Sequence, residues 1–176
     1  RAPIYEKLNF DYALDLITNA AGTVTVHYSQ SIDAVELRFR TDNVLTNPTM
    51  SGTMNLFTIG NNTVNVDFSS GTMGTMQLNG TGSGEIELFD GGWLTTVLRS
   101  SGTNLELLTK KSKYGKIVAA VSASSPSAFE DSGSIFLGGA ASVSRLEGQL
   151  QELRLWSSSL GDSAFNNHVT APAAYD

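Results

Sequence analysis

The chain has 176 residues, which is enough for one sizeable hydrophobic core and predicts a single domain. Lys and Arg number 11 against 17 Asp and Glu, and the isoelectric point is near 4.8, which argues against nucleic-acid binding. The absence of cysteine excludes disulfides and thiolate metal sites, and no apolar run reaches membrane-spanning length. Seventeen glycines with only four prolines favour many short strands joined by small-residue turns.

Residues 1–7 are predicted to form an extended N-terminal arm, and residues 8–176 are predicted to form a single folded domain. The sequence begins with Arg1 instead of Met, so we expect a processed product or a piece of a longer protein. Alternating apolar and polar residues predict strands over 10–16, 23–29 and 32–41, and turn-forming residues predict a loop over 43–54.

The middle of the chain is predicted to consist of short antiparallel strands. Residues 56–60 and 63–68 form a hairpin, because the glycine and asparagines between them tolerate a positive φ. Further strands are predicted over 76–78, 85–89, 94–98, 104–109, 117–121 and 135–139, with a Ser-rich loop over 122–134. Turn signals at intervals of about eight to twelve residues are typical of an antiparallel β-sandwich.

The closing segment is predicted to be a strand over 148–156 with apolar residues on both faces, which indicates burial over most of its length. Regular alternation places Glu152 and Arg154 on the same face of this strand. A short C-terminal helix follows, with Asp162 or Ser163 as its N-cap.

Four motifs, in order along the chain, resemble those of laminin-G-like, concanavalin-A-like jelly-roll domains. They are the strand end Phe39-Arg40-Thr41, the turn Asp90-Gly91-Gly92-Trp93, the strand end Ile135–Gly139 and the closing segment Gly148–Leu160. The turn departs from the family's D-G-x-W-H pattern, because Leu94 stands where the family has His. The tail through Phe165, Asn167, Val169 and Pro172 is similar to repeats in bacteriophage and other virion structural proteins. The resemblance covers most of the chain and implies an all-β antiparallel sandwich with a short C-terminal helix.

The resemblance implies a function in binding and not in catalysis, since such folds present rim loops and sheet faces to a partner. The first expectation is a virion structural or decoration protein, attached to capsid or tail subunits in an oligomeric assembly and able to recognise cell-surface glycans. The second is a secreted adhesion or carbohydrate-binding module with calcium at its rim. Either role places the chain on a virion or outside the cell, without membrane insertion or nucleic-acid binding.

Calcium is the one cofactor that the resemblance implies, because many laminin-G-like and pentraxin-like domains bind it at the sandwich rim through hard oxygen ligands. The candidate ligands stand at predicted loop or strand ends and are Asp42, Asn43, Asp67 and Asp131. The sequence contains no calcium-loop motif and does not choose among them, so solvated loop carboxylates stay the alternative. Tyr28 and Tyr114 are candidate ligand contacts at an interface.

A third expectation, an enzyme, depends on Glu85, Glu87 and Asp90. Their E-x-E-x-x-D pattern resembles the E-x-D-x-x-E strand of a glycoside hydrolase family of the same fold, with the residue types exchanged. Retaining hydrolysis needs two carboxyl groups about 5 Å apart, and an Asp at the acid position is shorter than the family's Glu. We therefore expect a structural strand, with Ile86 and Leu88 inside, both glutamates in solvent and Asp90 capping the turn.

The remaining chemistry-bearing side chains are expected to be structural. His27 and His168 lack a recognisable catalytic set and are predicted to be ordinary surface or boundary residues. Trp93 and Trp156 lie in the family's core motifs, which predicts burial, with sugar-stacking platforms as the alternative. The one basic cluster is predicted to be a solvated strand edge and consists of Lys110, Lys111, Lys113 and Lys116.

Overall fold

The computed structural model describes residues 14–15, 24–42, 52–111, 117–124, 129–139, 146–158 and 160–170. These residues contain thirteen strands and one helix. The predicted arm over 1–7 and the start of the domain at residue 8 lie outside them.

Six strands form the first sheet, called sheet A. They are β1 (Leu14–Asp15), β3 (Ala34–Thr41), β9 (Leu94–Ser101), β10 (Asn104–Lys111), β11 (Ile117–Ser124) and β13 (Gly148–Trp156). Their order is β1-β13-β3-β9-β10-β11, and every neighbouring pair is antiparallel.

Seven strands form the second sheet, called sheet B. They are β2 (Val24–Tyr28), β4 (Thr53–Ile59), β5 (Asn62–Ser70), β6 (Met73–Leu78), β7 (Thr81–Gly82), β8 (Ile86–Glu87) and β12 (Gly133–Leu137). Their order is β2-β12-β4-β5-β6-β7, and β8 also pairs with β6. All of these pairs are antiparallel, so the predicted antiparallel β-sandwich is confirmed.

The main core lies between the two sheets, because strand alternation turns one face of each sheet inward. In β3, Val35, Leu37 and Phe39 are buried in this core, as their spacing predicts. The β4–β5 hairpin turns through Gly60 and Asn61, and Gly60 has the positive φ of 54° that the turn requires. The local pattern of alternation and turn residues therefore sets the inward face of the strands correctly.

The closing strand β13 departs from regular alternation at a β-bulge. Gln151 pairs with Arg38 and Arg154 pairs with Glu36, so β13 has one residue more than β3 over this stretch. Glu152, inside the bulge, has a φ of 54°. The bulge shifts the alternation by one position, which turns Arg154 to the outer face. The prediction of an unbroken alternating strand is wrong at this point.

The predicted C-terminal helix is confirmed as α1 (Asp162–Thr170). Its N-cap is Gly161, whose carbonyl accepts the first helical hydrogen bond at 3.0 Å, so the predicted N-cap at Asp162 or Ser163 is wrong. The helix lies on the outer face of sheet A and completes a second apolar cluster: Ala34, Val97, Leu108, Trp156, Leu160, Ala164, Phe165 and Val169. No helix in the described ranges has the length and apolar character needed to cross a bilayer.

Two predicted loops are shorter in the structure than in the sequence-based prediction. The loop over 43–54 ends earlier, because β4 begins at Thr53. The Ser-rich loop over 122–134 is bordered by longer strands, since β11 extends to Ser124 and β12 begins at Gly133. Backbone pairing of Ser124 with Asn104 extends the ladder into residues whose side chains carry no apolar pattern.

Candidate functional site

The outer face of sheet B, called the polar face, carries mainly uncharged polar side chains on adjacent strands. Its members alternate with buried apolar residues along β2, β4, β5, β6 and β12, and they are Thr25, His27, Thr58, Thr63, Asn65, Gln77, Ser134 and Phe136. Hydroxyl and amide groups both donate and accept hydrogen bonds without carrying charge. The face therefore suits a ligand rich in hydroxyl groups better than an ionic one.

Phe136 is the aromatic member of the polar face. Its neighbours Ile135 and Leu137 point into the core, whereas 40% of Phe136 is exposed to solvent. Thr25 and Thr58 stand directly opposite it on the two flanking strands. The exposed ring is thus bordered on both sides by hydroxyl groups.

Hydrogen bonds between neighbouring side chains order the polar face. The Asn55 amide donates to the Asn65 side-chain oxygen at 2.9 Å and to the Thr58 hydroxyl at 3.2 Å. The Ser134 hydroxyl and His27 Nδ1 lie 2.8 Å apart. His27 is exposed, so its predicted surface position is confirmed. These contacts hold several polar groups in fixed orientations, which lowers the entropy cost of binding a ligand.

Tyr28 lies at the rim of the sandwich, in a small cleft. Ile59, Phe129 and Glu130 also line this cleft, together with the hairpin turn that contains Asn61. Burial and the negative charge of Glu130 raise the pKa of Tyr28 above its ordinary value of 10.0. The phenol therefore stays protonated near neutral pH and can act as a hydrogen-bond donor. Tyr114, the other predicted ligand contact, lies outside the described residues.

Two of the candidate calcium ligands, Asp67 and Asp131, lie at opposite ends of strand β4. Asp67 pairs with Thr53 at one end of β4 and accepts its hydroxyl at 2.5 Å, whereas Asp131 is an exposed residue before β12. The β12 register places Asp131 near the opposite end of β4, roughly 20 Å away at the usual rise per strand residue. Asp42 follows β3 and its amide donates to the Glu147 carbonyl.

Asn43, the fourth candidate, lies outside the described residues. Among the residues that the structure describes, no three His, Asp or Glu side chains are grouped closely enough to hold a metal ion.

Glu87 and Asp90, two members of the acidic pattern, both bind Lys111. Lys111 Nζ lies 2.7 Å from Glu87 Oε2 and 2.5 Å from Asp90 Oδ2, and the lysine side chain is only 5% exposed. Asp90 Oδ1 also accepts the Gly92 amide at 2.9 Å, so its predicted turn-capping role is confirmed. Glu85 is exposed, as predicted. The Glu87 and Asp90 carboxylates therefore both bind the buried Lys111 ammonium group.

The pKa of Asp90 is lowered in this cluster. Burial alone would raise the pKa, but the hydrogen bonds from Lys111 and Gly92 and the lysine charge more than offset that effect. A general acid in a glycosidase needs the opposite shift, toward a raised pKa. The same carboxylates raise the pKa of Lys111 against the effect of its burial.

The predicted solvated lysine edge is therefore wrong for the two lysines that the structure describes. Lys110 and Lys111 are 3% and 4% exposed. Lys111 points to the inner side of sheet A, where Glu87 and Asp90 compensate its charge, and Lys110 Nζ lies 5.2 Å from the Phe165 ring centroid. Lys113 and Lys116 lie outside the described residues.

A buried ionic network lies under helix α1. Arg154 Nη1 is 3.1 Å from Glu36 Oε1, and His168 Nδ1 is 2.8 Å from Glu36 Oε2. The His168 ring stacks on Trp156 at a centroid distance of 5.2 Å. The prediction of a surface or boundary His168 is wrong, because the helix packs this side chain against the sheet and leaves it 5% exposed. Trp156 is partly buried and packs against the second apolar cluster, so its predicted burial is only partial.

Trp93 is not a core residue, in contrast to the prediction from its motif. It precedes β9 and is partly exposed, and the guanidinium carbons of Arg38 and Arg40 each lie 5.2 Å from its ring centroid. Burial lowers the pKa of Arg38; the Glu152 carboxylate opposes this effect and the Arg154 charge adds to it. The outer face of sheet A thus has a cationic, aromatic region beside the helix.

Sequence reasoning missed Phe136 and the Arg38–Trp93 contact as candidate binding features. A signal for Phe136 was present, because alternation in the strand Ile135–Leu137 places it on the face opposite the two apolar residues. The contact between Arg38 and Trp93 had no local signal, since it joins a residue of β3 to the residue before β9, more than fifty positions away.

Comparisons with known proteins establish the fold class. No protein-family profile and no curated protein sequence matches the chain. A native heptameric SAP-like pentraxin from Limulus polyphemus aligns with a TM-score of 0.55 at 13% identity, over 92% of this chain and 82% of its own. The LG1–3 region of the laminin α2 chain aligns with a TM-score of 0.52 at 14% identity, over 81% of this chain and 31% of its own.

A third similar structure is the enzymatically active domain of tailspike protein 2 from bacteriophage CBA120. It aligns with a TM-score of 0.54 at 14% identity, over 91% of this chain and 28% of its own. Identities this low establish the fold alone, and the chain has the laminin-G-like, concanavalin-A-like jelly-roll fold that its motifs indicate. It spans less than a third of the laminin and tailspike chains.

Proposed function

We propose that this chain is a non-catalytic recognition module that binds glycans through the polar face of sheet B. The observation that carries the proposal is Phe136, an aromatic side chain 40% exposed on a face of hydroxyl and amide groups. A pyranose has an apolar C–H face and an equatorial set of hydroxyl groups. An exposed ring with polar groups at its edges complements both features.

The polar face gives such a ligand fixed hydrogen-bonding partners. Gln77 stands directly opposite Asn65 on β6, and Asn65 is held by the Asn55 amide. Each amide offers a donor and an acceptor, which matches the dual character of a sugar hydroxyl. Because the groups are uncharged, desolvating them costs less than desolvating ions.

The proposed setting is a virion, where the chain serves as a structural or decoration protein attached to capsid or tail subunits. The C-terminal tail from Phe165 to Pro172, with its virion-like pattern, supports this setting, and the fold shared with a bacteriophage tailspike domain is consistent with it. A secreted carbohydrate-binding module that uses rim calcium is the alternative. The absence of catalysis is supported by the Lys111 cluster, since it lowers the pKa of Asp90.

The glycan proposal is tested on an array of neutral glycans with the Phe136→Ala variant. We expect the wild-type chain to bind at least one neutral oligosaccharide and the variant to lose about tenfold or more in affinity. Ile117→Ala is the matched control, because Ile117 is 42% exposed on the edge strand of the other sheet. Equal binding by all three proteins, or no binding by the wild type, would overturn the proposal.

Two additional measurements separate the alternatives. Co-sedimentation of the chain with megadalton particles at fixed stoichiometry would support the virion setting. A chain that sediments as a free domain would contradict it. Glycan binding that EDTA abolishes would favour the secreted, calcium-dependent module. Glycosidase activity lost in Glu87→Gln would refute the absence of catalysis.

A further inference from the structure

A second candidate binding site lies on the outer face of sheet A, beside the helix. It consists of Arg38, Arg40, Trp93 and Thr95 and is called the Arg–Trp site. Both arginines point outward from β3, because the intervening Phe39 points into the core. Their guanidinium groups each contact the Trp93 ring at 5.2 Å. Two cations therefore share one aromatic ring.

Polar atoms of this site are shielded from solvent without a hydrogen-bond partner. Arg38 Nε and Thr95 Oγ1 are both in this state, and the two residues stand directly opposite each other in the β3–β9 ladder. Buried donors are nearly always paired in native structures, so an adjacent unpaired set indicates a missing partner. Arg38 Nε can only donate, whereas the Thr95 hydroxyl can donate or accept, so one acceptor such as a carboxylate can satisfy both groups.

Within the described parts of the chain, neither Arg38 nor Arg40 forms an ion pair with a carboxylate. There, no carboxylate oxygen lies within 4.0 Å of the Arg38 or Arg40 guanidinium group. The Glu152 carboxylate acts on the pKa of Arg38 through its charge, but its ion pair, at 2.5 Å, is with Arg154. Arg40 donates from Nε to the neutral side chain of Gln149 at 2.7 Å. A half-buried cation without a directly bound carboxylate favours an anionic ligand.

Arg99, on the same face, shows what a compensated arginine looks like here. Its guanidinium binds Glu106 and Asp162, each at 2.7 Å, and donates to the Leu160 carbonyl. Arg38 has none of these contacts within the described residues. Arg99 is therefore a structural arginine, whereas the buried Arg38 Nε has no hydrogen-bond partner.

We propose that the Arg–Trp site binds a carboxylate-bearing sugar residue, with the carboxylate on Arg38 and Thr95 and the pyranose ring against Trp93. The guanidinium fork matches a carboxylate in geometry and charge. The partly exposed indole complements the C–H face of the sugar, and the Gln149 and Gln151 amides stand beside the two arginines on β13. The site and the polar face lie on different sheets, so neither proposal depends on the other.

The test is a titration of the full chain with a galacturonic acid trisaccharide. Binding is measured by calorimetry and by tryptophan fluorescence. Its methyl ester is the charge-free control, and sialyllactose tests a second source of the carboxylate. We expect the free acid to bind at least about tenfold more tightly than the ester and to change the tryptophan emission. Binding of sialyllactose alone would assign the site to sialic acids instead of uronic acids.

Arg38→Gln tests the role of the arginine, and Arg99→Gln is the matched control on the same face. We expect Arg38→Gln to lose about tenfold or more in affinity without a lower unfolding temperature, because it removes an uncompensated charge. Arg99→Gln should show the opposite, a lower unfolding temperature with unchanged affinity. Thr95→Val should weaken binding several-fold.

Three results would overturn the proposal. They are equal affinity for the acid and its ester, unchanged affinity in Arg38→Gln, and no binding of any acidic sugar at millimolar concentration. A lower unfolding temperature in Arg38→Gln with unchanged affinity would make Arg38 a structural residue. Neutral glycans report on the polar face and acidic sugars on this site, so the failure of one proposal is distinguishable from the failure of the other.

Discussion

Glu36→Gln tests whether the buried ionic network holds helix α1 on sheet A. Glu36 is 1% exposed, and its two carboxylate oxygens bind Arg154 and His168. The substitution preserves the shape of the side chain but removes the charge, and the glutamine has only one oxygen to accept hydrogen bonds. Helix α1 then loses a charged contact to the strand beneath it.

The expected loss of stability follows from the burial of these groups. Removing one partner of a buried ion pair costs about 3–5 kcal/mol, and Arg154 keeps Glu152 as a second partner, which reduces the cost. We expect a loss of about 3 kcal/mol in the free energy of unfolding. In a chain of this length, that loss corresponds to a Tm lower by roughly 6–12 °C.

The assay is thermal and urea unfolding monitored by circular dichroism, with Glu106→Gln as the matched control. Glu106 pairs with Arg99 on the same outer face, but its side chain is 27% exposed. Solvent screening limits the expected cost there to about 1 kcal/mol or less. Equal losses in the two variants, within about 0.5 kcal/mol, would refute the argument that burial makes the Glu36 network important.

Trp156 provides an independent readout of helix docking in the same experiment. Its ring stacks on His168 with an interplanar angle of 11°. If Glu36→Gln loosens the helix, Trp156 becomes more exposed and its emission shifts to longer wavelength before global unfolding. An unchanged emission spectrum with a lower Tm would place the effect of the substitution elsewhere in the domain.

Three further substitutions and one control, Gly84→Ala, test the packing and the electrostatics. Gly148→Ala should destabilise the fold by about 3 kcal/mol or more in urea unfolding, because its Cβ would overlap the backbone oxygen of Arg40 on the paired strand. Gly84→Ala, with no atom within 4 Å of its Cβ, should leave the midpoint nearly unchanged. Phe165→Ala should lower the free energy of unfolding by about 3–5 kcal/mol in urea, since this side chain of α1 is fully buried between the helix and sheet A. Asp90→Asn should lower stability at pH 7 by about 1–3 kcal/mol, through the lost contact with Lys111.

The Asp90 prediction also has a pH dependence with a definite sign. The folded-state pKa of Asp90 is lower than the ordinary value of 3.8, so the stabilisation is present above that value and is lost as the pH falls through the folded pKa. The difference between wild type and Asp90→Asn should therefore disappear in strong acid. For Phe165→Ala and Gly148→Ala the loss should persist there, and a pH-independent loss in Asp90→Asn would contradict the assigned contact.

Part of the candidate site could be predicted from local sequence. The turn-capping role of Asp90 follows from the Asp-Gly-Gly sequence, and the exposure of Glu85 follows from alternation. The partner of Asp90 could not be predicted in this way. Lys111 is 21 positions away and reaches Asp90 only because the two sheets pack together at that end of the sandwich. The packing of the two sheets also explains why Lys111 is buried, whereas Lys110 is buried on the other side of sheet A beside Phe165 of helix α1.

The sequence by itself determined the fold class and the face of most strands. A period-two pattern is a local property, so Val35, Leu37 and Phe39 identify the inward side of β3 without knowledge of its neighbours. Glycine in tight turns and the order of the family-like motifs then define an antiparallel sandwich. Each turn and each motif consists of residues that are close together in the chain.

Only the tertiary structure decided which distant side chains meet. The bulge at Glu152 shifts the register of β13 and turns Arg154 outward to Glu36, 118 positions away. Helix α1 then brings His168 to the same carboxylate, across 132 positions. Strand register and helix docking depend on the combined packing of many residues, so no local pattern encodes these contacts. The Arg–Trp site depends on the same register, because it fixes which residues stand beside Arg38.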